Sequence, residues 1–249
     1  MSKQQIFYGV HACLDFIQNS PDLILTIFLQ HGKDADTKFD EVIIYAKKHK
    51  LTVEYVDKAN LDTLSNQGVH QGICLACKTL TTYSENDLEV LLGEAKASPF
   101  ILILDNIQDP HNLGACIRTA DASGVDFIII SKDKSAPVNA TVQKVACGAA
   151  NRVKVIIATN LARTIKILKQ SGVWIYGFAD ESSELLYTQD FTGSVALVMG
   201  SEGNGLRKLT RQLCDHLVYI PMFGSVSSLN VSVAAGVGLY EVVRQRRAL

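Results

Sequence analysis

Short apolar runs alternate with helix-like segments from residue 100 onward, and this alternation restricts the fold more than any other feature of the sequence. The runs have the length of single strands, as in FILIL at 100–104 and FIII at 127–130. Strands that are apolar at nearly every position are buried on both faces, which is typical of a parallel sheet covered by helices. We therefore predict an α/β domain over residues 99–249, with any ligand bound beyond the carboxyl ends of its strands.

Residues 1–78 show a shorter version of the same pattern, which predicts a separate small α/β domain. Residues 79–98 are acidic and end at Ser98, so we interpret them as a linker that carries one short helix. Within the first domain the pattern predicts a helix over 6–18, a strand over 23–30, an amphipathic helix over 36–50 and strands over 51–57 and 72–78.

The composition indicates a globular protein. Of the 249 residues, 47% are hydrophobic, and no apolar run approaches the roughly 20 residues that cross a bilayer. Lys3, His11 and Asp15 interrupt the N-terminal segment, so it lacks the unbroken apolar stretch of a secretory signal. We therefore expect a cytoplasmic protein whose six cysteines are reduced.

The CLAC segment at 74–77 has the spacing of a metal or redox pair, but no second pair accompanies it. In a strand, its two thiols would point to opposite faces. We expect Cys74 and Cys77 to pack in the core, and we predict no metal site.

The net charge of −1 argues by itself against a nucleic-acid partner. Residues 1–78 hold 8 Lys/Arg and 9 Asp/Glu, residues 79–98 hold 1 and 4, and residues 99–249 hold 15 and 12. Basic clusters in the last part are more often solvated helix faces than phosphate tracks, although either role is open. The clusters are Arg163, Lys166 and Lys169; Arg207, Lys208 and Arg211; and Arg244, Arg246 and Arg247.

Three turns at predicted strand ends carry unusual residues, and the first is DPHNLGACIRTADASG at 109–124. Asn112 stands where a helix N-cap is expected, and Gly124 ends the helix. Helical side chains lean toward the N-terminus, so Arg118 could reach back toward the turn. A cation near the positive end of a helix suggests a bound anion, and a surface pair with Asp121 is the alternative.

The second turn is VALVMGSEGNGL at 195–206, with three glycines within six residues. Their order is GxxGxG, so it differs from the GxGxxG of dinucleotide-binding folds. Glycines at these positions let a ligand approach the backbone closely, and Glu202 adds one carboxylate to the turn.

The third turn is IPMFGSVSSLN at 220–230, where Pro221 ends a strand. The residues after it expose backbone N–H groups and hydroxyls that could bind the polar edge of a flat heterocycle. We predict that the last helix starts near Ser228. Its face of small residues suits either core packing or a subunit contact, and it comprises Val231, Ala234, Ala235 and Gly238.

Together the three turns resemble the ordered motifs of the SpoU (TrmH-type) branch of the SPOUT RNA methyltransferases. YGVHAC at 8–13, VHQGI at 69–73 and KVACGAA at 144–150 further resemble its bacterial 23S rRNA guanosine 2′-O-methyltransferases. The resemblance implies a SPOUT-type parallel sheet with a C-terminal trefoil knot. A small α/β domain, similar to ribosomal protein L30e, would precede the sheet and bind RNA, and the protein would be a homodimer.

The same resemblance implies a bent S-adenosyl-L-methionine, with S-adenosyl-L-homocysteine as product, held largely by backbone groups. The cofactor-binding residues would be Gly200, Ile220 and Leu229 with their neighbours Met199, Met222 and Ser228. The motif residues of the reaction would be Asn112, Arg118, Glu202 and Asn230.

The implied reaction is methyl transfer to a guanosine 2′-hydroxyl in the peptidyl-transferase region of 23S rRNA. A guanidinium is essentially never deprotonated in proteins, so Arg118 is better suited to anchor a phosphate than to act as a base. Glu202 or a phosphate oxygen could accept the proton, while Asn230 and Ser228 orient the ribose or Arg118. The alternatives are a tRNA ribose 2′-O-methyltransferase and a non-catalytic RNA-binding factor in ribosome assembly.

Overall fold

The computed structural model describes residues 4–32, 37–78, 81–95, 97–146 and 148–247. The chain divides into two compact units, with the boundary between Leu80 and Thr81.

The first unit is a four-stranded sheet with helices. β4 pairs antiparallel with β1 and with β2, and β3 pairs parallel with β2, giving the order β1-β4-β2-β3. Its elements are β1 (Gln4–Tyr8), α1 (Val10–Asn19), β2 (Ile24–Gln30), α2 (Asp40–Lys48), β3 (Val53–Val56), α3 (Lys58–Leu64) and β4 (Ile73–Lys78).

Two features of this unit bear on the sequence predictions. The helix expected over 6–18 begins later, because Gly9 (φ 90°) separates strand β1 from α1. Cys74 and Cys77 lie in the central part of the sheet with no exposed surface, as core packing requires. Burial raises the pKa of Cys74 to about 11 and that of Cys77 to about 12.

The second unit is built on an eight-stranded, entirely parallel sheet in the order β10-β12-β9-β11-β6-β7-β8-β5. The predicted α/β class is confirmed. Its elements are β5 (Thr82–Ser84), α4 (Leu88–Glu94), β6 (Phe100–Leu104), α5 (Pro110–Ser123), β7 (Phe127–Ser131), α6 (Ala140–Val145), β8 (Lys154–Ala158), α7 (Leu161–Gln170), β9 (Trp174–Phe178), β10 (Glu184–Leu185), β11 (Val195–Met199), α8 (Lys208–Leu213), β12 (His216–Tyr219) and α9 (Val231–Arg247).

The segment interpreted as a linker, 79–98, does contain one short helix, α4. In addition, β5 pairs with β8 and forms one edge of the sheet, and Leu88 and Leu91 of α4 pack into the core of the sheet. The described part of this segment therefore belongs to the fold of the second unit.

The strand order gathers the three unusual turns at one edge. β11 lies between β6 and β9, with Met199 opposite Leu104, and β12 follows β9. Because all these strands are parallel, the turns that follow them leave from the same carboxyl edge.

Two helix starts differ from the predictions. Asp109, not Asn112, caps α5, because its Oδ1 accepts from the His111 N–H and Pro110 follows at the first helical position. α9 begins at Val231, so Ser228 lies in the loop before it. Gly124 ends α5 in a left-handed conformation (φ 77°), as predicted.

Helix α9 packs on α5 and β11 and is anchored at its far end by Arg246. The guanidinium lies 5.1 Å from the centre of the Phe100 ring. It also donates to the carbonyl oxygens of Phe191 and Ser98, both at 3.1 Å. Burial lowers the pKa of Arg246. The contacts fix the end of α9 beside the amino ends of β6 and β11.

Candidate active site

The glycine-rich turn after β11 folds back on itself. Ser201 and Gly205 exchange backbone hydrogen bonds of 3.0 and 2.9 Å, and both Gly203 (φ 78°) and Gly205 (φ 61°) are left-handed. A Cβ on Gly200 would lie 2.2 Å from the carbonyl carbon of Gly205. Position 200 therefore accepts only glycine without a shift of the backbone.

A buried ion pair ties this turn to the end of β6. Asp105 has no exposed surface, and Nη2 of Arg207 lies 2.6 Å from its Oδ1. The angle of this contact leaves Oδ1 without a well-directed donor among the described residues, so it is an ion pair more than a hydrogen bond. The Arg207 N–H donates to Oδ2 (3.3 Å), and the Asp105 N–H donates to Met199 O (2.8 Å).

A cavity of about 510 Å³, here called the main cavity, opens at the carboxyl ends of β9, β11 and β12. Its volume falls within the roughly 300–1,000 Å³ typical of small-molecule sites. The glycine-rich turn, the loop after β12 and the residues after β9 form its walls. All six residues predicted to bind a cofactor line it: Met199, Gly200, Ile220, Met222, Ser228 and Leu229.

Three side chains from the three turns form one hydrogen-bonded network. Nδ2 of Asn112 and Nδ2 of Asn230 each donate to Oε1 of Glu202 at 2.8 Å. Nδ2 of Asn230 also donates to Oδ1 of Asn112 (3.0 Å), and Oδ1 of Asn230 accepts from Ser232. The two amides fix the carboxylate in a single orientation.

A second cavity, of about 230 Å³, adjoins the main cavity. Asn112 lines the second cavity, Asn230 lines the main one, and Glu202 lies in the walls of both. A group held in the second cavity could therefore reach the same carboxylate as a ligand in the main cavity.

Arg118 is the predicted site residue that lies outside the walls of both cavities. Its side chain is exposed on α5, about 9 Å along the helix axis from Asn112. Asp121, the alternative partner, instead forms a bidentate pair with Arg152, whose Nε donates to Oδ1 (3.2 Å) and whose Nη2 donates to Oδ2 (2.6 Å). Within the described residues no hydrogen bond or ion pair is formed by Arg118, so its guanidinium remains available to an anion.

Among the described residues, four members of the basic clusters form ion pairs, and one of them, Arg244, pairs with the nearby Glu241 at 2.8 Å. Arg207 binds Asp105, Lys169 binds Asp215 (2.6 Å), and Arg211 binds Glu181. No local sequence pattern predicts the pairs of Arg207, Lys169 and Arg211, because each acid lies far along the chain from its partner. Residues Glu181 and Arg211 are additional members of the main cavity wall that sequence reasoning missed.

A sequence profile of the SpoU rRNA Methylase family matches residues 99–240, which span all three turns. The chain belongs to the SpoU rRNA methylase family. A second profile, for RNA 2′-O ribose methyltransferase substrate binding, matches residues 6–83.

Full-length relatives agree with this assignment. The 23S rRNA (guanosine-2′-O-)-methyltransferase RlmB of Pectobacterium atrosepticum is 48% identical over 97% of this chain and 98% of its own length. The protein of the same name from Escherichia coli K12 is 47% identical over 97% of this chain and 99% of its own length.

The fold is also that of solved family members. The SpoU methyltransferase AviRb from Streptomyces viridochromogenes, in complex with AdoMet, matches with a TM-score of 0.71 and 20% identity. The match covers 99% of this chain and 92% of that protein. At this identity the likeness shows the fold alone, and the trefoil knot stays a prediction.

In the first unit, two conspicuous polar residues of the VHQGI segment have structural partners. Nε2 of His70 lies 3.0 Å from Oδ1 of Asp62, and Nδ1 accepts from the Gly72 N–H at 3.0 Å. Oε1 of Gln71 accepts from the Val10 N–H at the start of α1. His11 and Gln71 are both exposed, but only His11 of this pair has a side chain that forms no hydrogen bond with another described residue.

The described residues contain neither a membrane-spanning helix nor a cluster of metal ligands. Among the helices formed by described residues, none has both the length and the apolar character to cross a membrane. No group of three or more His, Cys, Asp or Glu side chains in the described ranges is arranged to hold a metal ion.

Proposed function

We propose that this protein transfers a methyl group from S-adenosyl-L-methionine to the 2′-hydroxyl of a guanosine in 23S rRNA, with S-adenosyl-L-homocysteine as product. Relatives of that activity, 47–48% identical over nearly the whole chain, support the substrate and the reaction. The observation that carries the proposal is the carboxylate of Glu202, which Asn112 and Asn230 orient between two adjoining cavities.

The main cavity fits the methyl donor in size and chemistry. It combines apolar walls at Phe178, Val218 and Leu206 with a backbone turn that approaches closely because Gly200 has no side chain. Such a site suits a nucleoside, which needs apolar contact on its faces and hydrogen bonds at its edges. When bound, the donor supplies a sulfonium methyl group to the acceptor oxygen.

The protein's part in the reaction is to place the ribose and remove one proton. Both amides donate to Oε1 of Glu202, and no described residue donates to Oε2. Oε2 is therefore the oxygen that can accept the proton of the ribose hydroxyl, directly or through water. Holding the acceptor oxygen in line with the donor accounts for a large part of the expected rate enhancement.

Arg118 is proposed to bind an RNA phosphate. Its guanidinium is exposed and has no partner in the described part of the chain. An arginine is suited to bidentate contact with a phosphate and keeps its charge throughout the reaction. In this role it anchors the backbone of the RNA and leaves proton transfer to Glu202.

We also propose that the protein acts as a cytoplasmic homodimer. Exposed apolar side chains support a subunit contact at the C-terminal helix and the loop before it. Val233 and Tyr240 of α9 are each 51% exposed, and Phe223 is 96% exposed. Burying them against a second copy would remove apolar surface from water.

The proposal is tested by mapping ribose methylation in the rRNA and tRNA of cells that lack this protein. We expect the loss of one guanosine mark in the peptidyl-transferase region of 23S rRNA. Wild type and Lys166→Ala, a change to an exposed basic residue on α7, should restore it, whereas Arg118→Ala and Glu202→Gln should not. A mark lost only from tRNA would support the tRNA alternative. No lost mark, together with no donor binding, would support a non-catalytic assembly factor.

A further inference from the structure

The main cavity contains an ion pair that the methyl-transfer network does not use. Glu181 follows β9 and Arg211 lies on α8, and their side chains, which are 59% and 39% exposed, pair within the cavity wall. Solvated ion pairs of this kind contribute little to stability. Its location in the wall of a small-molecule cavity therefore suggests a role in ligand binding.

The order of the strands separates this pair from the methyl-transfer network. Asn112 follows β6 and Glu181 follows β9, and β11 lies between those two strands. The network and the ion pair thus lie on opposite sides of the glycine-rich turn. Because the methyl group must face Glu202, the nucleoside part of the donor extends toward β9.

The wall near β9 is suited to a nucleoside. Phe178, Leu206 and Val218 provide apolar contact for a flat base, and Glu181 provides a carboxylate beside them. A vicinal ribose diol offers two O–H donors, and a carboxylate accepts both. An acidic residue beyond a strand end binds a ribose in this way in other α/β folds.

We propose that Glu181 binds the ribose diol of the methyl donor and that Arg211 is a positioning residue that orients the carboxylate. This inference rests on the proposed function, because it requires the donor to occupy the main cavity. Arg211 already donates to the Glu181 carboxylate in this structure, so the carboxylate need not reorient when the ribose binds.

Calorimetry with stable ligands tests the assignment without methyl transfer. The ligands are S-adenosylhomocysteine, 5′-methylthioadenosine and the 2′,3′-dideoxy form of 5′-methylthioadenosine. Wild type should bind the diol form at least about tenfold more tightly than the dideoxy form. Glu181→Ala should lose that preference while its affinity for the dideoxy form stays within about twofold. Glu184→Ala is the matched control, because Glu184 pairs with His216 and does not line the cavity.

Arg211 is tested through the same preference. Arg211→Gln should reduce the preference for the diol about threefold, and Arg211→Lys should restore most of it, since a cation again orients Glu181. Thermal melting should be unchanged by these substitutions, because both side chains are exposed.

Several outcomes would overturn the inference. If wild type bound the diol and dideoxy forms with equal affinity, the protein would make no favourable contact with the ribose hydroxyls. A loss in Glu181→Ala that is equal for all three ligands would indicate a general disturbance of the cavity, and a loss confined to S-adenosylhomocysteine would assign the pair to the amino-acid end of the donor. If wild type bound none of the ligands, the proposed function would fail as well.

Discussion

Gly200→Ala is the substitution for which the structure gives the most direct expectation. The added Cβ would lie 2.2 Å from the carbonyl carbon of Gly205, 2.4 Å from its oxygen and 2.4 Å from the Leu206 nitrogen. Ordinary contact begins at 3.4 Å, and all three atoms belong to the backbone. The turn must therefore move by about 1 Å, because no side chain can rotate away.

The size of the effect follows from that displacement. Overpacking of this kind costs about 1–3 kcal/mol of the free energy of unfolding. For a domain of this size, the melting temperature falls by roughly 2–12 °C. A shift of the turn also misaligns backbone groups that face the ligand, and losing one or two hydrogen bonds weakens binding about tenfold or more.

Two measurements check the expectation: thermal melting, and calorimetric titration with S-adenosylhomocysteine. Gly193→Ala is the control, because a Cβ there meets no atom within 4 Å and its φ is not in the left-handed region. It should match wild type in both measurements. If Gly200→Ala bound the ligand with wild-type affinity and melted within about 1 °C of wild type, the close approach at Gly200 would not matter for binding or stability.

Three further expectations follow from the site. Arg207→Gln should lower the free energy of unfolding, measured in urea, by about 2–3 kcal/mol. This is less than the ~3–5 kcal/mol usual for a broken buried pair, because the backbone N–H of residue 207 still donates to Asp105. Lys208→Gln is the control and should leave the free energy of unfolding unchanged. Glu202→Gln should slow single-turnover methylation about 100-fold or more, while its affinity for S-adenosylhomocysteine stays within about threefold of wild type. A variant that methylates as fast as wild type would show that Glu202 is not the base. Burial raises the pKa of Cys116 from 9.0 to about 12, so its thiol should react with a thiol reagent at pH 8 only as fast as the protein unfolds. Because the unfolded thiol ionises first, its contribution to the free energy of unfolding should fall as the pH rises from 9 toward 12, and faster labelling of Cys116 in the folded state would contradict its burial.

The parallel sheet could be predicted from the sequence because its central strands are apolar at nearly every position. β5 could not, since a three-residue edge strand at 82–84 has no periodicity of its own and forms only by pairing with β8. Residues 6–8 of β1 fall within the helix predicted over 6–18, because the turn at Gly9 depends on a positive φ that the sequence pattern does not reveal.

Much of the candidate site could be assembled from the sequence only through family resemblance. The second and third predicted turns contain Glu202 and Asn230, but the hydrogen bonds joining these residues to Asn112 span 90 and 118 residues. The Asp105–Arg207 pair, 102 residues apart, left no local signal, since a buried acid and a surface arginine look alike in a sequence. Long-range pairs of this kind depend on strand order, which determines which strand ends become neighbours.

The anchoring of α9 has a consequence for inhibitor discovery. The helix begins one residue after Asn230 and spans 17 residues, about 25 Å, to the contacts of Arg246 on the opposite edge of the sheet. A compound that displaced the Arg246 guanidinium from its carbonyl acceptors would increase the mobility of α9, whose first residue follows Asn230 of the hydrogen-bonded network. Such a compound would not need to resemble a nucleoside. Because it would bind away from the main cavity, it could discriminate between this protein and other enzymes that use the same methyl donor.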